Sequence, residues 1–236
     1  SAGDEDAVDE QDLMAAAGIE LVHAASLIHD DLMDQAASRR GLPAVHVQLG
    51  PDRAITCGDY LIAKSFRLLA ESRSTCAPAD VVRAFVIGAE SGIRTCTGQF
   101  YDVQTPTADT LAEPVYQHTV IEKTSAAIGG ALLAGAALAG AGDNLLAALG
   151  EFGGAIGKAF QIKDDIQDAA RLLHSLDGVD RRVTLPLIYA FQAADDAGKT
   201  LILDFLANKP LDTGAFAHLL KQTNAIERAE GLAAAF

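Results

Sequence analysis

Apolar residues recur every three or four positions along most of this chain, whereas stretches in which apolar and polar residues strictly alternate are scarce. An α-helix turns once in about 3.6 residues, so this spacing places apolar side chains on one face of a helix. The first helix is expected from about Val8 to Asp34. Further helices are expected over residues 52–70, 77–103, 111–141, 143–170, 186–197, 200–208 and 213–234. We therefore predict an all-α bundle, and no stretch has the composition of a linker between domains.

The size and charge of the chain narrow the classes of protein to which it can belong. Its 236 residues, of which 50% are hydrophobic, are enough to bury the core of one large domain. The formal net charge is -14 at pH 7, and so acidic a chain repels nucleic acid and anionic lipid. We therefore exclude nucleic acid as a partner. Any phosphate group would have to be bound by local basic residues or through cations.

Cysteine content and hydropathy favour a protein of the cytoplasm. The cysteines, Cys57, Cys76 and Cys96, are odd in number and form no CxxC pair, which is typical of a reduced intracellular protein. The longest apolar stretch, residues 128–141, is shorter than the ~18–20 residues of a transmembrane helix. Residues 1–12 are acidic and lack the basic start and apolar centre of a signal peptide. We predict a cytoplasmic protein without an integral membrane segment.

An acidic sequence occurs twice, each time late in an expected helix. Residues 28–34 (IHDDLMD) recur as residues 162–168 (IKDDIQD). On a helix, positions i, i+1 and i+4 fall on one side, so each copy would present three carboxylates together. These carboxylates repel one another unless a cation binds them, and oxygen ligands with open positions suit Mg²⁺. The first aspartate motif consists of Asp30, Asp31 and Asp34, and the second aspartate motif consists of Asp164, Asp165 and Asp168.

Two other interpretations of the acidic residues remain open. Each motif could be a solvated acidic helix face, and one copy alone would be weak evidence for a site, whereas a matched pair is stronger. Glu20 and His23 have the ExxH spacing of di-iron helical bundles, but such sites need a second ExxH, and the sequence has none. We therefore expect His23 to line the same groove as Asp30.

Basic residues near the motifs could bind phosphate groups. Arg39 and Arg40 follow the first aspartate motif across a turn, and guanidinium groups bind phosphate oxygens two at a time. The alternative is that these arginines neutralise the acidic end of the helix. Lys123 and Thr124 lie in an otherwise apolar helix, where the lysine either extends to the surface or enters a cavity.

Polar residues inside two other expected helices are further candidates. Gln161 lies three residues before Asp164, on the same side of the helix, and could donate a hydrogen bond to a phosphate oxygen. Gln99 and Asp102 are polar groups in an apolar helix, and hydrogen bonds within the core explain them equally well.

Together these motifs resemble those of the trans-polyprenyl diphosphate synthases of the all-α isoprenoid synthase family. The match extends roughly from Glu20 to Ala190 and includes several motifs in order. The matching residues are His29 to Asp34, Arg39 to Gly41, Gly58 and Asp59, Gly98 and Gln99 with Asp102, Lys123 and Thr124, Phe160 to Asp165, and Thr184 to Pro186. The resemblance implies a single-domain helical bundle around a central cavity, spanning residues 1–236, and suggests a homodimer.

The resemblance also implies an enzyme that condenses isopentenyl diphosphate with an allylic diphosphate, head to tail. Its Mg²⁺ ligands would be Asp30, Asp31, Asp34, Asp164 and Asp168, and the catalytic residues would also include Asp165 and Lys123. Contacts with the allylic diphosphate are expected from Arg39, Lys123, Thr124 and Gln161. Contacts with isopentenyl diphosphate are expected from His23 and Arg40. The released diphosphate can act as the base for the final proton removal, so no catalytic histidine is required.

The residues upstream of the first aspartate motif bear on product length. In this family, bulky aromatic residues four and five positions before the first aspartate stop chain growth early. Here those positions are Ser26 and Ala25, and Val22 and Ile19 lie one and two turns deeper. A groove lined by such small residues favours a product of geranylgeranyl length or longer.

Two parts of the family pattern are missing from this sequence. No Gly-Lys-Arg-x-Arg-Pro motif precedes the first helix, and only residues 168–181 stand where the family has a longer loop with a phosphate-binding lysine. We expect the complete protein to contain both segments. Arg182 is expected to take the last basic position before Thr184 and Pro186.

Two other functions remain open. A class I terpene cyclase shares the first aspartate motif and the fold, although cyclases typically replace the second motif with an Asn/Ser/Glu type of metal site. A non-catalytic subunit of a heteromeric prenyl synthase would keep the bundle and lose the aspartates, all of which are present here.

Overall fold

A computed structural model describes residues 10–71, 76–104, 106–175 and 181–236, without the side chains of residues 10–12. These residues are almost entirely helical, and the predicted all-α fold is confirmed. The helices are α1 (Glu10–Met33), α2 (Val45–Leu49), α3 (Pro51–Glu71), α4 (Pro78–Asp102), α5 (Glu113–Tyr116), α6 (Glu122–Leu138), α7 (Asp143–Leu172), α8 (Leu185–Ala193), α9 (Asp196–Leu206), α10 (Thr213–Gln222) and α11 (Ala225–Ala233). A short hairpin of β1 (Ser38–Arg39) and β2 (Leu42–Pro43) follows α1.

Most helices lie where the spacing predicts them, and two predicted helices are divided. The helix expected over 111–141 consists of α5, a π-helical turn at Gln117–Ile121 and α6. The helix expected over 213–234 is broken between α10 and α11 at Asn224, whose φ of 49° lies in the left-handed region. Val8, the expected start of the first helix, lies outside the described residues.

The described residues of Ser1–Ala89 and Ala131–Ala147 form one compact unit. In this unit α1 packs along α3, and small residues let the two helices approach closely. A Cβ atom added at Gly18 would lie only 3.2 Å from the backbone oxygen of Ser65. Ala25 of α1 and Ala54 of α3 are fully buried. This packing fixes the end of α1 that carries the first aspartate motif.

The described residues of Glu90–Gly130 and Ala148–Phe236 form a second compact unit. Its core surrounds α8, in which residues 185–190 are all buried. Large side chains from the other helices of the unit complete this core, among them Tyr116, Ile162, Leu172, Ile202, Phe205, Phe216 and Leu220. The core holds the part of α7 that carries the second aspartate motif.

The single domain and the central cavity expected from the sequence stay predictions. Among the described residues, no helix has both the length and the hydropathy needed to cross a membrane.

Candidate active site

The first aspartate motif lies at the C-terminal end of α1 and is contacted by an arginine of the hairpin. Nε of Arg39 donates a hydrogen bond to Oδ1 of Asp31 over 2.7 Å, and its Nη2 lies 4.0 Å from Oδ2 of Asp30. Asp31 is buried. The hydrogen bond to Asp31, reinforced by the charges of the three aspartates, raises the pKa of Arg39 although partial burial opposes it. Arg39 thus neutralises the acidic end of α1, which is the alternative to phosphate binding that the sequence left open.

The geometry of the hairpin explains how Arg39 reaches this position. Arg40 and Gly41 have positive φ values of 52° and 80°, as both central residues of a type I′ turn require. The tight reversal pairs Arg39 with Leu42. Arg40 is exposed at the tip of the turn, and its contact with isopentenyl diphosphate stays a prediction.

His29, which precedes the aspartates, occupies space that Gly58 of α3 leaves open. A Cβ atom at position 58 would overlap the imidazole ring, with Cδ2 only 2.6 Å away. Nε2 of His29 lies 3.3 Å from the backbone oxygen of Ile55 and 3.7 Å from Oδ1 of Asp59. The position of the His29 ring therefore explains why residue 58 has no side chain.

Helix α1 carries the residues predicted to set product length and one residue predicted to bind isopentenyl diphosphate. Their side chains differ in exposure. Val22, His23 and Ser26 are exposed, whereas Ala25 is fully buried. Ser26 donates its hydroxyl to the backbone oxygen of His23 over 2.8 Å. Of the three predicted length-determining residues, Val22 and Ser26 therefore have surface available to line a groove. The roles of all four residues stay predictions.

In the second aspartate motif, Asp164 and Asp168 share one cation. Nη2 of Arg182 donates to Oδ2 of Asp164 and to Oδ2 of Asp168, each over 3.1 Å. Arg171 donates to the other oxygen of Asp168 over 2.9 Å. A guanidinium group thus stands between two carboxylates one helical turn apart, where the sequence predicts a metal ion. Carboxylate oxygens of this kind fit Mg²⁺, which prefers hard oxygen ligands.

Asp165 turns into the core, so the prediction that all three carboxylates of this motif share one side is wrong for this residue. Only 1% of its surface is exposed. Its Oδ2 accepts hydrogen bonds from the Tyr116 hydroxyl over 2.7 Å and from the backbone N–H of Leu185 over 2.9 Å. Its Oδ1 accepts from Nε2 of Gln161 over 2.9 Å. Burial raises the pKa of Asp165 to about 6, although these hydrogen bonds favour the ionised form.

A small cavity of the same unit is lined by charged and polar side chains. Lys123 enters it, with its Nζ 3.3 Å from Oδ2 of Asp102. Beside them, Thr124 donates its hydroxyl to Oε1 of Gln161 over 2.5 Å. The cavity is lined by Asp102, Val120, Lys123, Gln161, Asp165, Arg182 and Val183, and Thr124 lies behind Gln161. Of the two interpretations of Lys123, entry into a cavity is therefore confirmed.

The absence of a side chain at Gly98 lets α4 approach α6 closely beside the cavity. A Cβ atom at Gly98 would lie 2.7 Å from the backbone oxygen of Thr119 and 2.8 Å from Cβ of Lys123. A larger residue would push Lys123 away from Asp102. Gln99, the next residue of α4, is half-buried, and its role stays a prediction.

Comparison with known proteins agrees with this arrangement of motifs. A profile of the Polyprenyl synthetase family matches residues 2–223. The chain belongs to this family. It is 38% identical over 186 residues to the geranylgeranyl diphosphate synthase of Methanosarcina mazei, in an alignment covering 76% of this chain and 57% of that protein. It is 36% identical over 228 residues to the geranylfarnesyl diphosphate synthase of Aeropyrum pernix, covering 92% of this chain and 70% of that protein.

A solved structure of the family has the same fold. The chain superposes with a TM-score of 0.82 on the polyprenyl synthase of Caulobacter crescentus CB15, which was crystallised with calcium and isoprenyl diphosphate. The superposition covers 97% of this chain and 70% of that one, at 25% sequence identity. The chain spans 57% of the length of the first curated relative that it matches.

Two contacts within this chain were not foreseen from the sequence. Tyr116 was not singled out, because a tyrosine 49 positions from its partner carries no spacing signal. Burial, together with the charge of Asp165, raises the pKa of Tyr116, so its hydroxyl stays a donor. Arg171, three residues after Asp168 on α7, could have been found as a helical i, i+3 ion pair.

Among the described residues, no three His, Cys, Asp or Glu side chains converge as a ready-made metal cluster. Mg²⁺ keeps several waters and shares its coordination with substrate phosphates, so it needs few protein ligands in one place.

Proposed function

We propose that this protein is a Mg²⁺-dependent trans-prenyltransferase that condenses isopentenyl diphosphate with an allylic diphosphate. The observation that carries the proposal is the cavity in which Lys123, Gln161 and Arg182 lie together. Cationic and amide donors suit a diphosphate group, even though carboxylates also line this cavity. The relatives named as geranylgeranyl and geranylfarnesyl diphosphate synthases support a product of geranylgeranyl length or longer.

The proposed roles are those that the resemblance of the motifs implies. The proposed Mg²⁺ ligands are Asp30, Asp31, Asp34, Asp164 and Asp168. The proposed contacts with the allylic diphosphate are Arg39, Lys123, Thr124 and Gln161. The proposed contacts with isopentenyl diphosphate are His23 and Arg40.

The chemistry of the reaction agrees with these roles. When the allylic carbon–oxygen bond ionises, negative charge grows on the diphosphate, and the ammonium group of Lys123 stabilises it. Bound Mg²⁺ would act as a Lewis acid on the same leaving group. Val120 and Val183 are the apolar residues that line the cavity, and such surface would help to keep water away from an allylic cation.

Incubation of the purified protein with Mg²⁺, isopentenyl diphosphate and farnesyl diphosphate tests the proposal. We expect a longer prenyl diphosphate by mass spectrometry. Lys123→Met should abolish product formation, whereas Lys209→Met should not, because Lys209 pairs with Asp204 over 2.6 Å outside the cavity. A cyclic hydrocarbon formed from geranylgeranyl diphosphate alone would indicate a terpene cyclase instead. No turnover of either kind by the full-length protein would indicate a non-catalytic subunit.

We also propose that the protein is a homodimer of the cytoplasm. Tyr60, Phe66 and Val86 are 62%, 52% and 64% exposed, and a second copy could cover such large apolar side chains. No disulfide joins cysteines among the described residues, which suits a reducing compartment. Analytical ultracentrifugation tests the dimer, and a monomer at micromolar concentration would contradict it.

A further inference from the structure

We propose that Asp165 is a positioning residue that sets the hydrogen-bond direction of Gln161 and, through it, of Thr124. The proposal rests on the proposed function in one respect, because it takes these two side chains to border the allylic substrate. It differs from the prediction for this position, which placed Asp165 on the same side of the helix as Asp164 and Asp168 and gave it a catalytic role.

The contacts of Asp165 are those of a buried anchor. Both carboxylate oxygens are engaged, by the hydroxyl of Tyr116, the backbone N–H of Leu185 and the side-chain amide of Gln161. These donors come from three different segments of the second unit. With 1% of its surface exposed, Asp165 has almost no area with which to contact a ligand directly.

The direction of the bonds follows from what each group can do. An ionised carboxylate only accepts hydrogen bonds, so the nitrogen of the Gln161 amide must face Asp165. The amide oxygen then faces Thr124 and must accept the hydroxyl proton of that residue. The proton of Thr124 is therefore directed at Gln161, and its oxygen offers lone pairs to its other neighbours. No hydrogen bond among the described residues uses the second N–H of Gln161, which remains available to the cavity.

An asparagine at position 165 would reverse this direction without changing the shape of the side chain. The backbone N–H of Leu185 can only donate, so the oxygen of the asparagine must face that group and its nitrogen must face Gln161. The Gln161 amide would then turn round and donate to Thr124. Every buried group would still have a partner, but donor and acceptor would be exchanged along the hydrogen bonds that join residue 165, Gln161 and Thr124.

The variant Asp165→Asn tests this reasoning. We expect it to fold, with a melting temperature at neutral pH no lower than that of the wild type. Its kcat/KM for the allylic diphosphate should fall about tenfold or more, the effect of misdirecting a hydrogen bond to a charged substrate. The matched control is Tyr116→Phe, which removes a different donor to Asp165. It should lower the melting temperature and leave kcat/KM within about twofold.

A spectroscopic measurement reports the direction itself. The side-chain amide signal of Gln161 in a nitrogen-15 spectrum, identified by its loss in Gln161→Leu, should shift strongly in Asp165→Asn and little in Tyr116→Phe. Wild-type kcat/KM and an unshifted signal in Asp165→Asn would overturn the proposal, as would failure of this variant to fold. If the wild type forms no product, the proposed function fails, and the amide signals alone decide the role of Asp165.

Discussion

Asp164 and Asp165 are adjacent on α7 and have opposite environments. The side chain of Asp164 is 45% exposed and shares Arg182 with Asp168, so it is available to a metal ion. We predict that Asp164→Asn lowers turnover by about 100-fold or more, because charge stabilisation of the leaving diphosphate is lost. The melting temperature in metal-free buffer should change little, because the lost ion pair with Arg182 is half-exposed and the arginine keeps its bond to Asp168. Steady-state kinetics and thermal unfolding measure the two effects.

The matched control for this variant is Asp204→Asn. Asp204 also pairs with a cation of the second unit, Lys209, but lies outside the cavity. Its substitution should leave turnover unchanged. Near-normal turnover in Asp164→Asn would argue against the metal assignment.

The buried carboxyl group of Asp165 makes stability depend on pH. Its pKa is about 6 in the folded protein, against an ordinary value of 3.8. The folded state therefore binds this proton more tightly, and its contribution to stability is full below about pH 4 and is lost as the pH rises through 6. The difference corresponds to about 3 kcal/mol.

Urea unfolding in the presence of EDTA measures this dependence. Relative to the wild type, Asp165→Asn should gain about 3 kcal/mol in the free energy of unfolding between pH 4 and pH 7. Parallel pH profiles of the two proteins would show that the carboxyl group keeps its ordinary pKa.

Product length is best tested at Ser26. Ala25 has no exposed surface, so a phenylalanine there would disturb the packing of α1 as well as any groove. Ser26 is exposed, and Ser26→Phe should shorten the product without lowering the melting temperature. Ala25→Phe, by contrast, should lower the melting temperature. An unchanged product profile in Ser26→Phe, measured by chromatography of the dephosphorylated prenols, would contradict the groove hypothesis.

At the scale of helices, the approach of α1 to α3 depends on Gly58. Gly58→Ala would place a methyl group in the ring of His29 and should cost about 1–3 kcal/mol of unfolding free energy. The control is Gly88→Ala in α4, where an added Cβ atom meets nothing within 4 Å. This control should stabilise the protein by about 0.5–1 kcal/mol. Equal effects of the two substitutions on urea unfolding would refute the steric role of Gly58.

Helices and motifs could be predicted from the sequence because both depend on local spacing. The period of apolar residues located α3, α4 and α7 to within a few residues. Partners distant in the chain could not be predicted. The inward turn of Asp165 follows from Tyr116 and Leu185, and no local pattern links those positions. The left-handed conformation of Asn224 likewise interrupts a continuous apolar pattern.

At the scale of the whole molecule, binding should appear as a shift in stability. A ligand that binds only the folded state stabilises it by about 2.7 kcal/mol at 100 times its dissociation constant. We predict that Mg²⁺ and inorganic diphosphate added together raise the melting temperature by several degrees. Either one alone should raise it much less, because Mg²⁺ shares its ligands with the phosphate oxygens. If Mg²⁺ alone raised the melting temperature as much as Mg²⁺ and diphosphate together, the two ligands would not share a site.

The fold class and the family could be predicted for the molecule as a whole, because several ordered motifs over most of the chain leave few alternatives. The number of domains could not, because it depends on packing between helices that are far apart in the sequence. The roles proposed for the aspartates depend on bound ligands as well as on the chain, and local spacing carries no information about those ligands.

The guanidinium group of Arg182 between Asp164 and Asp168 has a thermodynamic consequence. If Mg²⁺ binds these carboxylates as proposed, it would displace a counter-ion that the protein already supplies, and the arginine would then need a new anion. The proposed diphosphate substrate would provide one. We therefore expect cooperative uptake of the two ligands, in which each lowers the dissociation constant of the other by the same factor.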